Sequence, residues 1–308
     1  YRMTRILTRA EVESVLTLED CIEAVEEAFC AYGEGRVAPP QSLGLHVAAG
    51  SFHIKAAVTS HFAAKVNANF PGNPQRHGLP MIQGVIVLID AERGTPLAIL
   101  DSTLITTLRT AAATAVATKY LARGDSKTVT IAGCGAQARA HLEALMRVRP
   151  IVKAHAFDRE LATAERFAGE MRERTSLDVI ATTRLDDAVA GSDIVVTCTP
   201  SRSAFLERRH LHPGIFVAGV GADNPDKSEL SPELLAASRV VTDITDQAAA
   251  MGDLHHAIEA GAMTREDIHG ELAGLICGRT ASRTSDDEIF VFDSTGTALQ
   301  DAAAATVA

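Results

Sequence analysis

The sequence predicts an α/β chain: a Rossmann-type doubly wound parallel sheet, joined to a second, α+β domain rich in strands. Three observations predict it. Residues 127–158 run strand, glycine turn, helix, strand, acid. After Asp158, short apolar runs alternate with helical patterns, as in a parallel sheet covered on both faces. Before residue 118, strand-like runs instead follow one another with only turns between them, which suits antiparallel pairing.

The elements follow in order. Thr8-Arg9-Ala10-Glu11 is a capping box, and Thr17-Leu18-Glu19-Asp20 is a weaker form with Asp in place of Glu, so residues 8–35 hold two helices. Ile22, Val25, Ala28 and Phe29 give the second helix an apolar face, and Gly33 and Gly35 stop it. Residues 41–100 carry the strands SLGLHVA, SFHIKAAV, AAKVNANF and GVIVLID, with turn signals at Pro71-Gly72-Asn73-Pro74 and Glu92-Arg93-Gly94. Residues 103–122 read as an alanine-rich helix. Beyond Asp158 the pattern gives helices over 160–174 and 184–190 and strands over 178–181, 193–199, 215–221 and 239–245. Helical segments run from about 246 to 275, and the tail holds one strand and a last alanine-rich helix. The expected domains are residues 1–118, to which a tail of 286–308 returns, and a dinucleotide-binding domain of 119–285.

Composition narrows the field. The 308 residues are 46% hydrophobic and 22% charged, ordinary for a globular protein, with a formal net charge of −10. There is no basic run or aromatic-studded basic patch, so nucleic acid is not an expected partner. No apolar run is long enough to span a bilayer, so no membrane partner is expected either. Met3 reads as a natural start, and the N-terminus lacks the apolar core of a signal peptide. The five cysteines show no C-x-x-C spacing, so free thiols and a cytoplasmic enzyme are expected. His210, His212 and the His255-His256 pair match no recognised metal spacing, and no metal is expected.

The glycine turn carries most of the chemistry. Gly133 lets the chain turn off its strand, Gly135 lets the backbone approach a pyrophosphate, and Ala138 lets the helix pack closely. With Ala136 and Gln137 these residues are candidate cofactor contacts, since the helix start presents unpaired N–H groups to phosphate. Asp158 follows Ala138 by 20 residues, where an acid accepts bonds from ribose hydroxyls. Its charge favours NAD(H) over a 2′-phosphate, while the adjacent Arg159 keeps NADP(H) open.

Ligands of such sheets sit beyond the carboxyl ends of the strands. Thr199-Pro200-Ser201 and Val220, ahead of Gly221-Ala222-Asp223, fall there and are further candidate cofactor contacts. Asp223 is a candidate general acid/base, or else a turn-forming Asp bonded to its own backbone. In the first domain Lys65 and Arg109 stand among apolar or small residues, where an unpaired charge is costly. A substrate carboxylate or a structural ion pair would each supply the missing partner. His53 and Lys55 share one strand face, either solvated or lining a cleft where His53 could shuttle a proton.

Taken together, these segments resemble the ornithine cyclodeaminase/mu-crystallin family over nearly the whole chain. The resemblance rests on Lys65-Val66-Asn67, Gly78-Leu79-Pro80-Met81-Ile82-Gln83-Gly84, Pro96-Leu97-Ala98 and Leu108-Arg109-Thr110-Ala111-Ala112. It continues through Gly133-Cys134-Gly135-Ala136-Gln137-Ala138, the segment from Gly221 to Leu230, and Phe292-Asp293-Ser294-Thr295-Gly296. It implies a homodimer joined through the strand-rich, substrate-binding domains. It also implies that Lys65 and Arg109 hold the α-carboxylate of an amino or imino acid, with Asp223 as acid/base in a hydride exchange at Cα.

Family members end that exchange differently. Some reduce a cyclic ketimine or interconvert amino and keto acids; others cyclise ornithine with loss of ammonia and recycled NAD. Here Gln41 stands where an additional Arg is common, and Phe52, within Phe52-His53-Ile54-Lys55, falls where cyclodeaminases place a Glu for the distal amine. The expectation is therefore a ketimine (pyrroline-2-carboxylate-type) reductase or amino-acid dehydrogenase, with ornithine cyclodeamination as the alternative. A nucleotide-binding protein without turnover, and a redox-neutral eliminase using His53 or Lys55 as base, are further readings.

Overall fold

The computed structural model describes residues 3–308; Tyr1 and Arg2 lie outside the described residues. The chain packs as two units, one made of the residues up to Ala113 with Thr297–Ala308, the other of Thr114–Gly296.

The first unit is built on a six-stranded sheet. Its strands are β1 (Arg5–Leu7), β2 (Gln41–Val47), β3 (Gly50–Val58), β4 (His61–Asn69), β5 (Ile82–Asp90) and β6 (Pro96–Asp101), in the order β1-β6-β5-β4-β3-β2. The pairs from β2 to β6 are antiparallel and β1 joins β6 in parallel. Successive side chains alternate between faces. One face carries Ala57, Ala63, Lys65, Ile86, Leu88 and Leu100, all buried, and the helix Ala298–Val307 lies against β3, β4 and β5 and the helix Leu18–Gly33. The other face leaves Leu43, Leu45, Phe52, Val66 and Val85 exposed. Both N-terminal caps form as the sequence suggests, with Thr8 and Thr17 accepting from the N–H groups of Glu11 and Asp20. The expected turn at Pro71–Pro74 instead opens a short helix, Asn73–His77, because Pro is tolerated in a first helical turn.

The second unit is a parallel eight-stranded sheet. Its strands are β7 (Thr128–Ala132), β8 (Lys153–Phe157), β9 (Asp178–Thr182), β10 (Ile194–Thr197), β12 (Phe216–Gly219), β14 (Arg239–Thr242), β15 (Gly270–Glu271) and β16 (Phe290–Asp293), while β11 (Arg202–Leu206) and β13 (Ser228–Leu230) form a separate parallel pair. The order β15-β14-β16-β12-β10-β7-β8-β9 reverses direction at β7 and β10, the switch point where such sheets bind ligands. The central strands are buried along their whole length, so they read as unbroken apolar runs.

Two features differ from the sequence reading. The tail does not return whole to the first unit. Phe290–Asp293 is buried at every position and sits between β12 and β14, and only the helix Ala298–Val307 joins the first unit. An FVFD run with no polar alternation fits the middle of a parallel sheet better than an edge. The strands expected over 193–199, 215–221 and 239–245 also stop at Thr197, Gly219 and Thr242; residues 198–199, 220–221 and 243–244 are loops, and a helix starts at Thr245. Among the described residues no helix is long and apolar enough to cross a membrane, and all five cysteines are free thiols.

Candidate active site

In the first unit, Lys65 on β4 and Arg109 on the helix Ser102–Leu121 converge on one acid. Asp301 Oδ1 lies 2.7 Å from Lys65 Nζ and 2.8 Å from Arg109 Nε, and all three side chains are buried. Arg109 also donates to Gln300 Oε1 at 2.5 Å, and Lys65 to Thr106 Oγ1 at 3.5 Å. With Lys65 charged, two cations on one carboxylate leave a net positive charge out of water, which either a second anion or loss of the Lys65 proton relieves. The ionisation of the cluster agrees. Burial pushes the Lys65 ammonium down to about 7, helped by the charge of Arg109 and only partly opposed by Asp301. Burial pushes the Asp301 carboxyl up, but Arg109 and Lys65 outweigh it and hold it below its ordinary value. The imbalance is physical: Asp301 is served by two cations, and each cation by half an acid.

Lys55 stands directly opposite Lys65 across β3 and β4, and His53 opposite Asn67. Both are partly buried on the face that carries Lys65, and His53 Nε2 lies 2.8 Å from Ser51 Oγ. Alternation puts Phe52 on the opposite face, edge-on to Phe70 at 5.5 Å. The residues of β3 beside Lys65 are therefore His53 and Lys55, and the exchange at position 52 does not change that surface. Gln41 is exposed and donates to the Pro39 carbonyl at 3.2 Å.

In the second unit, Gly133 adopts φ +100°, and a Cβ there would lie 2.6 Å from Thr199 Cγ2. That position needs glycine twice over. A Cβ on Gly135 would meet nothing within 4 Å, and Gly135 and Ala136 are exposed, so the turn offers open backbone to a ligand. Gln137 immediately precedes the helix Ala138–Val148, and Ala138 is fully buried under it. Asp158 accepts from the Cys134 N–H at 3.0 Å and the Glu160 N–H at 3.1 Å. These bonds fix its carboxylate at the mouth of the glycine turn, while Arg159 is exposed. This cradle fits a dinucleotide: open backbone for a pyrophosphate and a fixed acid for ribose hydroxyls.

Sequence reasoning missed Glu229, which organises the carboxyl ends of β10 and β12. It is fully buried and accepts from Thr197 Oγ1 (2.7 Å), Thr199 N (2.6 Å), Thr199 Oγ1 (2.6 Å) and Gly221 N (2.7 Å). Burial pushes its carboxyl up, and the bonds from Thr199, Thr197 and Gly221 pull against that. Glu229 thus holds the loops of Thr199-Pro200-Ser201 and of Val220 to Asp223. Thr199 Oγ1 accepts from the Ser201 N–H at 3.2 Å, Pro200 is exposed, and Val220 is buried. Asp223 is exposed on that loop, with Lys227 Nζ at 2.7 Å and Asn224 Nδ2 at 3.1 Å.

Residues 2–308 match the ornithine cyclodeaminase/mu-crystallin family. The chain belongs to that family. It is 37% identical over 306 residues to an alanine dehydrogenase of Archaeoglobus fulgidus, covering 99% of this chain and 94% of the relative. Among solved structures, an archaeal alanine dehydrogenase dimer with bound NAD matches at TM-score 0.95 and 37% identity, over 99% of this chain and 94% of that one. A Δ1-pyrroline-2-carboxylate reductase of Thermococcus litoralis, in complex with NADH and L-proline, matches at TM-score 0.94 and 32% identity, over 99% and 96%.

Proposed function

We propose that this chain is an NAD(H)-dependent oxidoreductase of small α-amino or α-imino acids, and that it reduces a cyclic ketimine carboxylate or interconverts an amino acid with its keto acid. The observation that carries the reading is the buried Lys65–Arg109 pair sharing one acid, Asp301. A buried site with one negative charge too few selects a small anion, and a forked guanidinium beside an ammonium suits a carboxylate. The relatives named above are an alanine dehydrogenase and a pyrroline carboxylate reductase, whose products both carry an α-carboxylate.

The residues divide the work. Gly133, Gly135, Ala136, Gln137 and Ala138 hold the pyrophosphate through the helix start, and Asp158 takes the ribose hydroxyls, which favours NAD(H). The bound nicotinamide supplies or accepts a hydride. Lys65 and Arg109 anchor the α-carboxylate and fix which carbon is presented. Asp223 holds a proton against the substrate nitrogen, giving it in the reductive direction and taking it in the other. Lys55 and His53 border the bound acid. Thr199, Pro200, Ser201 and Val220 would contact the nicotinamide part of the cofactor, with Glu229 fixing the backbone at Thr199 and Gly221.

The protein further acts as a homodimer in this reading. Leu43, Leu45, Phe52, Val66 and Val85 form one exposed apolar face of the first sheet, the kind of surface that a second copy can cover.

The test follows NADH absorbance while the protein meets Δ1-pyrroline-2-carboxylate, and separately pyruvate with ammonia. Stoichiometric loss of NADH with either substrate supports the reading. Flat traces with both, together with ammonia release from ornithine and no net change in NADH, would replace it with the cyclodeaminase. The presence of Asp223 keeps that second reading in play.

A further inference from the structure

We propose that His255, His256 and Glu259 form a binding site for a divalent ion of the zinc class, on the helix Asp253–Glu259. One ring nitrogen of each histidine and one carboxylate oxygen of Glu259 lie within 4.8 Å of one another. The sequence hides this grouping, because adjacent helical residues ordinarily point about 100° apart. Here the two rings meet edge to face, 5.2 Å between centroids.

The hydrogen bonds around the rings point to a metal. His255 Nδ1 is 3.2 Å from the Ala249 carbonyl, and His256 Nε2 is 2.8 Å from the Lys227 carbonyl. A carbonyl only accepts, so each of these nitrogens carries the proton. The lone pairs are left on His255 Nε2 and His256 Nδ1. A ring nitrogen bonded to a backbone carbonyl, with the other nitrogen unprotonated, is the usual arrangement of metal-ligating histidines.

His255 Nε2 then aims its lone pair at Glu259, 3.4 Å from Oε2. Either a proton, as in an i,i+4 ion pair, or a metal ion can bridge two such atoms. Ligands about 2.1 Å from a tetrahedral ion stand about 3.4 Å apart, so the spacing is that of one edge of a tetrahedral site. His256 supplies the third ligand while its other nitrogen keeps the Lys227 carbonyl, and water takes the fourth position. Two imidazoles and a carboxylate select zinc, cobalt or nickel over magnesium or calcium. The ion would also brace the neighbouring loop, since His256 holds the Lys227 carbonyl.

The test uses the untagged, metal-stripped full chain titrated with CoCl2 and read by visible absorption. The expected result is one Co2+ per chain with the intense bands of four-coordinate cobalt, displaced by ZnCl2. His255→Ala and Glu259→Gln should each weaken uptake by about ten-fold or more. Glu259 is exposed, so E259Q keeps the fold, checked by circular dichroism. Amide exchange over residues 223–230 should slow with Zn2+ in the parent and not in E259Q. No uptake at millimolar cobalt would overturn the proposal, as would uptake that both variants retain, which would mean an ion bound elsewhere. An imidazolium bridging to Glu259 gives the first of these results.

Discussion

The two units each bury a group of charges, and the groups are opposites. The first unit sets Lys65 and Arg109 around the single acid Asp301, so positive charge is in excess. The second buries Glu229, Asp253 and Asp293, and its acids accept from neutral donors. Glu229 takes four bonds from Thr197, Thr199 and Gly221. Asp253 Oδ1 takes the N–H groups of Glu229 (2.8 Å) and Leu230 (3.1 Å), and Asp293 Oδ2 takes that of Leu254 (2.9 Å). Burial raises both aspartates, Asp293 to about 7. The contrast separates two uses of buried charge. In the proposed reading, a cluster whose charges do not cancel receives an anion. A set of acids wired to fixed backbone donors is a brace for loops.

Removing a cation from the receptor should have the largest effect. Arg109→Ala leaves Asp301 with Lys65 alone and takes away the fork that grips a carboxylate. A loss of roughly 10^2–10^3-fold in kcat/KM is expected, with NADH affinity unchanged. Unchanged kcat/KM would make the cluster a structural ion pair and dissolve the comparison. Cutting the brace should act on the other ligand. Glu229→Gln turns an amide N–H₂ towards donors, which should cost about 2 kcal/mol of stability and weaken NADH binding. If thermal unfolding and NADH titration both matched the parent, Glu229 would not be holding these loops.

Proton exchange offers a third probe. Lys65 titrates near 7 instead of 10.5. Between those values the unfolded chain keeps a proton that the folded chain has lost, so this group makes stability rise with pH across that window. Anion binding moves the other way, since the charged form disappears as pH climbs past about 7. KM for the acid substrate should therefore rise above neutral pH. Lys65→Arg, whose guanidinium stays charged, should flatten the rise; an identical profile in that variant would assign the limb to another group. The smallest effect is expected at the rim of the dinucleotide cradle. Asp158→Ser removes one acceptor while Cys134 and Glu160 keep their loops, so NADH affinity should fall about ten-fold and the margin over NADPH should narrow. Equal preference before and after would mean that the acid does not read the ribose.

Much of this was legible in the residues. Gly133, Gly135, Ala138 and Asp158 announce the cradle because each does something no other residue type does as well. Lys65 and Arg109 stood out because cations among small residues need partners. The same argument reaches Asp301, an acid inside an alanine-rich helix, but the partner lies 236 residues from Lys65 and only folding joins them. Glu229 was harder, since an acid near a loop ordinarily faces water and only the convergence of two strand ends buries it. The Phe290–Asp293 strand belongs to the second unit, and its lack of polar alternation suits a parallel sheet, but four residues are too short a run to outweigh its place in the tail. The alternation in Phe52-His53-Ile54-Lys55 was read correctly, yet which face would meet Lys65 awaited the register of β3 against β4.

The first unit is interrupted: residues 3–113 wait for Thr297–Ala308, with the whole second unit inserted between them. On the ribosome the second unit is complete as a continuous stretch before the acid that neutralises Lys65 and Arg109 has been made. Until then those two cations have no carboxylate and the sheet lacks the helix that covers it. The slowest contacts to form are thus those that join Lys65 and Arg109 to Asp301, and a chain cut short before residue 297 would carry a finished second unit and a sheet with a bare apolar face, a target for aggregation or proteolysis.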